Sequence, residues 1–105
     1  MAEPQVPPSA RPGSTAVYAI SVAARLTGTG QQNIRLYETK GLLTPARTSG
    51  GTRQYSEDDI AVLLRIGELL EQGLNLAGVA MVLELEAANL KLHSALKRAR
   101  QRPSG

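Results

Sequence analysis

The chain has no cysteine, phenylalanine or tryptophan among its 105 residues, and only one histidine, His93. The absence of cysteine excludes disulfide bonds, thiol redox chemistry and thiolate-bound metals. One histidine alone cannot build a conventional zinc site, so we expect no metal and no cofactor. Because tyrosine, present three times, is the only aromatic residue, the core must consist chiefly of Leu, Ile, Val and Ala.

Long apolar runs are also missing. The first fifteen residues lack the apolar stretch of a signal peptide, and no run approaches the length of a membrane span. The length of 105 residues suits one modest domain. These features predict a soluble cytoplasmic protein without a membrane partner.

The net charge is only +3, but acidic and basic residues are separated along the chain, so that each section has few residues of one sign. Residues 11–55 carry six bases and one acid, residues 56–90 carry seven acids and one base, and residues 91–105 carry five bases and no acid. The pattern is therefore basic, acidic and basic. Such asymmetry indicates that one part of the protein faces a polyanion.

Two short helices are predicted near the start of the ordered region. Residues 1–15 are rich in Pro, Ser and Gly, which predicts a disordered arm. We expect Ser21 to cap a helix over residues 22–26 that Gly28 ends. A second helix is expected over residues 31–40. Two short helices joined by a tight turn form a helix-turn-helix arrangement.

The second half begins with a hairpin pattern. Extended runs at residues 46–48 and 52–55 flank Ser-Gly-Gly. Ser56, followed by three acids, indicates a capped helix start. That helix is expected to reach about residue 72, and Asn75 is expected to cap the next, followed by a terminal helix.

Four sequence blocks between Tyr18 and Leu83 resemble the MerR family of winged-helix regulators. They read Arg-x-Tyr-Glu from Arg35, Gly-Leu-Leu from Gly41, Gly-x-Arg-x-Tyr from Gly51 and Gly-x-x-Leu from Gly73, in the order and spacing of the family. The resemblance implies a mainly α fold, a winged helix-turn-helix with a small β-hairpin wing and a C-terminal dimerisation helix. The boundaries it implies are a disordered arm over 1–15, a DNA-binding domain over 16–84, a short dimerisation helix over 85–102 and a disordered tail over 103–105.

Double-stranded DNA is the partner that the family resemblance implies. The amides at the start of the second helix can pair with adenine, and Arg35 can read guanine or hold a phosphate. The predicted contacts are Gln31, Gln32, Asn33, Arg35, Tyr37 and Lys40 on the recognition helix, Arg47, Thr52, Arg53 and Tyr55 on the wing, and Arg25 outside both. The alternatives are polarity at the helix start for the amides and a solvent-exposed loop for the wing. For Tyr37 and Tyr55 the alternative is core packing of the rings, which can hold together with a phosphate contact by the hydroxyls.

Several other side chains invite simpler explanations. Glu38 is expected to be structural, and Lys40 or Arg35 could neutralise its charge. Asp58 and Asp59 stand in a capping turn with no nucleophile or base beside them. His93 on a helix is expected at the surface rather than in a pH or metal sensor. No combination of residues indicates an enzyme.

An apolar stripe along the terminal helix predicts a homodimer, and the family resemblance implies that the two helices pair antiparallel. Its residues are Leu85, Leu92, Leu96 and Ala99. Within the family, the wing and the Asn-Leu-Ala-Gly-Val stretch most resemble the HspR heat-shock repressors of the DnaK chaperone operon.

This resemblance implies a nucleoid-associated repressor that binds an inverted repeat, with a chaperone such as DnaK as a possible co-regulator. The absence of metal-binding cysteines or a ligand pocket after the helices favours the same interpretation. Two alternatives stay open, namely an architectural protein that coats DNA and an adaptor that binds a protein through its acidic surface.

Overall fold

The computed structural model describes residues 16–101, which fall into two compact units, one ending at Glu68 and the other beginning at Leu69. The predicted arm over 1–15 and the tail over 103–105 lie outside these residues. The elements, in chain order, are β1 (Val17–Tyr18), α1 (Ile20–Thr27), α2 (Gln31–Thr39), β2 (Ala46–Arg47), β3 (Arg53–Ser56), α3 (Glu57–Glu71) and α4 (Leu76–Gln101). The mainly α winged fold predicted from the sequence is confirmed.

The first unit contains a three-stranded antiparallel sheet in the order β1-β3-β2. Tyr18 pairs with Tyr55 across β1 and β3, and Arg47 pairs with Arg53 across β2 and β3. The sequence predicted the hairpin of β2 and β3 but not β1. A two-residue strand carries no alternation that a sequence pattern could reveal.

The start of α1 differs from the prediction. Ala19, not Ser21, is the N-cap, and its carbonyl accepts hydrogen bonds from the amides of Val22 at 3.1 Å and Ala23 at 2.9 Å. Because the pairing of β1 ends at Tyr18, the chain turns into the helix at once, and Ser21 is already helical and exposed. The predicted end is confirmed, since Gly28 has the left-handed conformation with φ of 71°.

Apolar side chains from every longer element of the first unit form its core. Ala23 on α1 and Ile34 on α2 have no exposed surface, and α1 packs against α2 and β3. The other buried hydrophobic residues of this unit are Tyr37, Leu43, Tyr55, Leu63 and Ile66. This packing holds α2 and the β2–β3 hairpin on one scaffold.

A reciprocal pair of hydrogen bonds begins α3. The backbone amide of Asp59 donates to Oγ of Ser56 at 3.1 Å, and the amide of Ser56 donates to Oδ2 of Asp59 at 2.9 Å. This is the capping box that the sequence predicted, with Asp in the place of Glu. It also explains Asp59 without any catalytic role.

The second unit consists of the end of α3 and the long helix α4. Oδ1 of Asn75 accepts a 2.8 Å hydrogen bond from the amide of Gly78, so the predicted cap is present. The two helices predicted after Asn75 are in fact one helix of 26 residues. Between Val79 and Gln101 there is no glycine or proline to interrupt it, so the change in the apolar pattern marks a change of face rather than a break.

Candidate nucleic-acid interface

Helix α2 has one exposed polar face and one buried apolar face. Ile34 and Tyr37 are buried, whereas Gln31, Gln32 and Asn33 are exposed in its first turn. Arg35 is exposed one residue after Ile34. The helical period thus places three amides and a guanidinium where an approaching ligand can reach them.

Tyr37 and Tyr55 contribute to the core through their rings. Tyr37 is nearly buried, and Tyr55 has no exposed surface at all. The Tyr55 hydroxyl is enclosed and has no hydrogen-bond partner among residues 16–101. Its burial raises the pKa of Tyr55, and the nearby charge of Glu38 raises it further. Of the two roles that the sequence left open for Tyr55, the burial favours packing over phosphate contact.

The loop at the end of the β2–β3 hairpin closes through two threonines and a glycine. The amide of Thr48 donates to the carbonyl oxygen of Thr52 at 2.8 Å, and the amide of Thr52 donates back to Oγ1 of Thr48 at 3.1 Å. Gly51 has a φ of 89°, which this tight loop requires. The role of Thr48 was missed from the sequence, where it read only as a strand residue. We call this hairpin, residues 46–56, the wing.

One carboxylate joins α2 to both strands of the wing. Oε1 of Glu38 accepts a 2.6 Å hydrogen bond from Nε of Arg53, and Oε2 accepts a 3.0 Å bond from Nη2 of Arg47. The hydrogen bond to Glu38 raises the pKa of Arg53. The sequence offered Lys40 or Arg35 as neighbours that could neutralise Glu38, whereas the ion pairs of this carboxylate are with Arg47 and Arg53, which the folded wing brings beside it.

The other predicted contact residues of this unit are all exposed. Arg25 lies in the last turn of α1, Lys40 follows the end of α2, and Thr52 lies at the tip of the wing. The structure thus joins the wing arginines to α2 through Glu38. It records no bond among residues 16–101 that ties Arg25 to either group.

A second predicted surface lies on α4. Leu85, Leu92, Leu96 and Ala99 are all exposed and recur at intervals of seven, four and three residues. At 100° per residue these intervals keep all four side chains on one side of the helix. His93 is exposed on the same helix, as expected.

Residues 18–86 match the family described as MerR HTH family regulatory protein. This match covers well over half of the chain, including α1, α2, the wing and α3. The chain belongs to the MerR family. The resemblance drawn from the four sequence blocks is thereby confirmed.

Named relatives of this MerR chain include HspR of Streptomyces coelicolor, described as a putative heat shock protein. It is 47% identical over 73 residues, which are 69% of this chain and 48% of HspR. The regulator GlnR of Bacillus anthracis is 41% identical over 70 residues, which are 67% of this chain and 54% of GlnR. The chain thus spans about half the length of these curated relatives. The matched family is described as one of regulatory proteins, and GlnR is named a transcriptional regulator, so the chain belongs to a family of regulators and not of enzymes.

The fold also matches a solved MerR regulator. HiNmlR, which lacks a sensor domain and was crystallised bound to promoter DNA, aligns with a TM-score of 0.63 and 22% identity over 79% of this chain and 69% of its own. At that identity the comparison supports the fold alone. Within residues 16–101 no helix could cross a membrane, and no cluster of three His, Asp or Glu side chains could hold a metal ion.

Proposed function

We propose that this MerR protein is a sequence-specific DNA-binding repressor that binds an inverted-repeat operator as a homodimer. The observation that carries the proposal is the exposed amide and arginine face of α2, joined through Glu38 to a wing with two arginines. A helix reads bases in the major groove while neighbouring basic side chains hold the phosphates. Both parts are present on one scaffold.

The proposed contacts divide by chemistry. Amides pair bidentately with adenine and guanidinium groups with guanine, so the α2 face would read bases. The base-reading group is Gln31, Gln32, Asn33 and Arg35, and the phosphate-contacting group is Arg25, Lys40, Arg47, Thr52 and Arg53. We assign Tyr37 and Tyr55 to the core because both rings are buried.

The homodimer is proposed from α4. Its leucine stripe is exposed, and large apolar side chains repeated along one helical face suit pairing with a second helix. Along α4, Glu84 and Glu86 come before Lys97 and Arg98. An antiparallel partner would place opposite charges side by side. Two copies on a two-fold axis would bind a palindromic site.

Repression and a chaperone partner such as DnaK are proposed from the likeness to HspR, 47% identical over its matched residues. A protein of this function would act in the cytoplasm, associated with the nucleoid. The central part of the proposed function is base reading by the exposed face of α2.

Selection of binding sites from random duplex DNA tests the proposal. We expect the purified full-length protein to enrich an inverted repeat, and Arg35→Ala to lose that enrichment. Lys91→Ala, which removes one positive charge from an exposed position of α4 outside the leucine stripe, serves as the matched control and should keep the motif. Failure to enrich any motif, with binding that disappears at modest salt, would contradict sequence reading and favour DNA coating instead.

A further inference from the structure

Glu38 occupies an unusual position for an acid beside a surface that binds a polyanion. Its two oxygens bond to Arg47 and Arg53, which are directly opposite each other in the β2–β3 register. A carboxylate this close to DNA repels phosphate, so its presence weakens non-specific attraction. The contacts it makes show what it contributes in return.

The two arginines bond to Glu38 through different edges of their guanidinium groups. Arg47 uses both terminal nitrogens within the protein, with Nη2 on Glu38 at 3.0 Å and Nη1 on the carbonyl oxygen of Gly51 at 3.1 Å. Arg53 bonds to Glu38 through Nε at 2.6 Å, and its Nη nitrogens make no recorded bond to any of residues 16–101. Both Nη nitrogens of Arg53 therefore remain available as donors, since a guanidinium carries five N–H groups in a rigid fork.

We infer that Glu38 is a positioning residue that aims the Nη edge of Arg53 at a DNA phosphate. Arg47 completes the arrangement by closing the wing loop at Gly51. A charge-assisted bond as short as 2.6 Å limits rotation of the Arg53 side chain, so less conformational freedom is lost when a phosphate binds. This inference rests on the proposed DNA-binding function and states how one of its wing contacts, that of Arg53, is oriented.

The inference opposes what net charge alone predicts. Glu38→Gln raises the net charge by one, and electrostatics without geometry predicts tighter binding to any DNA. A positioning role predicts the reverse for the selected operator. Asp58→Asn is the matched control, because Asp58 is an exposed acid in the first turn of α3 and the substitution changes the net charge equally.

The experiment measures affinity of the full-length protein for the selected duplex and for a scrambled duplex over a series of salt concentrations. We expect Glu38→Gln to weaken operator binding roughly 10-fold for each protomer, the size of one lost charge-assisted contact, and to weaken binding to the scrambled duplex as well, because a phosphate contact carries no sequence information. Asp58→Asn should weaken binding to neither duplex. Glu38→Asp, which keeps the charge on a shorter side chain, should lose operator affinity as Glu38→Gln does.

A double-mutant cycle with Arg53→Gln identifies the route of the effect. Arg53→Gln should lower the slope of log K against log salt by about 0.9 for each protomer. If Glu38 acts through Arg53, Glu38→Gln should cost little further affinity in the Arg53→Gln background. Circular dichroism and thermal unfolding of each variant separate this result from loss of the fold.

The results that would contradict the positioning role of Glu38 differ from those that would contradict the proposed DNA-binding function. Operator binding by Glu38→Gln that equals or exceeds the wild type, while Arg35→Ala still abolishes the motif, overturns the positioning role alone. Additive losses for Glu38→Gln and Arg53→Gln overturn it as well. If the wild type enriches no motif, both the proposed function and the inference fail.

Discussion

The hydroxyl of Tyr18 donates a 2.6 Å hydrogen bond to Oε2 of Glu57, a residue 39 positions later in the chain. Tyr18 lies on β1 and Glu57 is the first residue of α3, so this bond joins β1 to the start of α3, directly after the wing. The strand pairing of Tyr18 with Tyr55 runs alongside it. Together the two contacts hold the short strand β1 in the sheet.

Alkaline pH should remove the contribution of the Tyr18 bond to stability. The hydrogen bond to Glu57, followed by burial, raises the pKa of Tyr18 above its ordinary value of 10.0. A group whose pKa is raised by folding stabilises the protein fully below its unfolded pKa and loses that effect as pH rises through its folded pKa. We expect Tyr18→Phe to be less stable than the wild type at pH 7 and 9, and the difference to shrink above pH 10.

The measurement is the free energy of unfolding of wild type and Tyr18→Phe by urea from pH 7 to pH 11. Tyr55, whose pKa is also raised, is present in both proteins, so its ionisation largely cancels in the difference. A difference that stays constant across this range contradicts the assignment. Glu57→Gln should reduce the effect of pH, because it removes the carboxylate that accepts the bond.

Two serines that look alike in the sequence should differ in their effect on stability. Ser56→Ala removes the acceptor of the 3.1 Å bond from the Asp59 amide and should lower the free energy of unfolding by about 1 kcal/mol. Ser21→Ala should have no such cost, because Ser21 is exposed within α1 and alanine favours a helix. Urea denaturation of both variants provides the test. Equal losses would show that Ser21 caps α1 after all.

Local sequence signals predicted most helix boundaries, because the residues that form them act on their own neighbours. Gly28 ends α1 through its left-handed backbone conformation, and Asn75 caps α4 through a hydrogen bond three residues along the chain. Ser21 was misassigned because it carries the same local signal as a true cap. Its position was decided by β1, whose pairing with β3 starts the helix at Ala19.

The geometry of the candidate site was less predictable than its composition. The sequence supplied the exposed amides of α2 and the wing arginines, because motif spacing identifies them. The partners of Glu38 lie nine and fifteen residues away, and they meet it only after the wing has folded beside α2. The burial of Tyr55 likewise depends on packing across the sheet and helices. Neither is encoded in a local pattern.

Adjacent leucines on α3 should separate core packing from surface exposure. Leu63 has no exposed surface, whereas Leu64 is 48% exposed. We expect Leu63→Ala to lower the free energy of unfolding by about 2–5 kcal/mol through the cavity it creates, and Leu64→Ala to change it by about 0.5 kcal/mol or less. Because Leu63→Ala is capable of unfolding so small a protein, Ile66→Val offers a milder core variant with an expected loss of about 1 kcal/mol. Similar losses for the two leucines would contradict the burial described here.

Two equally exposed leucines on α4 provide a test of the proposed dimer. Leu92 and Leu90 are each 69% exposed, but only Leu92 belongs to the predicted stripe. Leu90 lies two residues earlier, so at 100° per residue its side chain points to a different side of the helix. An aspartate at position 92 would bury a charge in the paired helices, whereas one at position 90 would stay in water.

We therefore expect Leu92→Asp to shift the wild-type dimer towards monomer, and Leu90→Asp to leave the dimer intact. Sedimentation equilibrium over a range of protein concentrations measures the dissociation constant of each variant. Because an inverted repeat needs both protomers, Leu92→Asp should also weaken binding to the full operator while keeping its affinity for a half-site. Dissociation by Leu90→Asp alone would place the interface on the other side of α4, and a monomeric wild type would remove the dimer from the proposal.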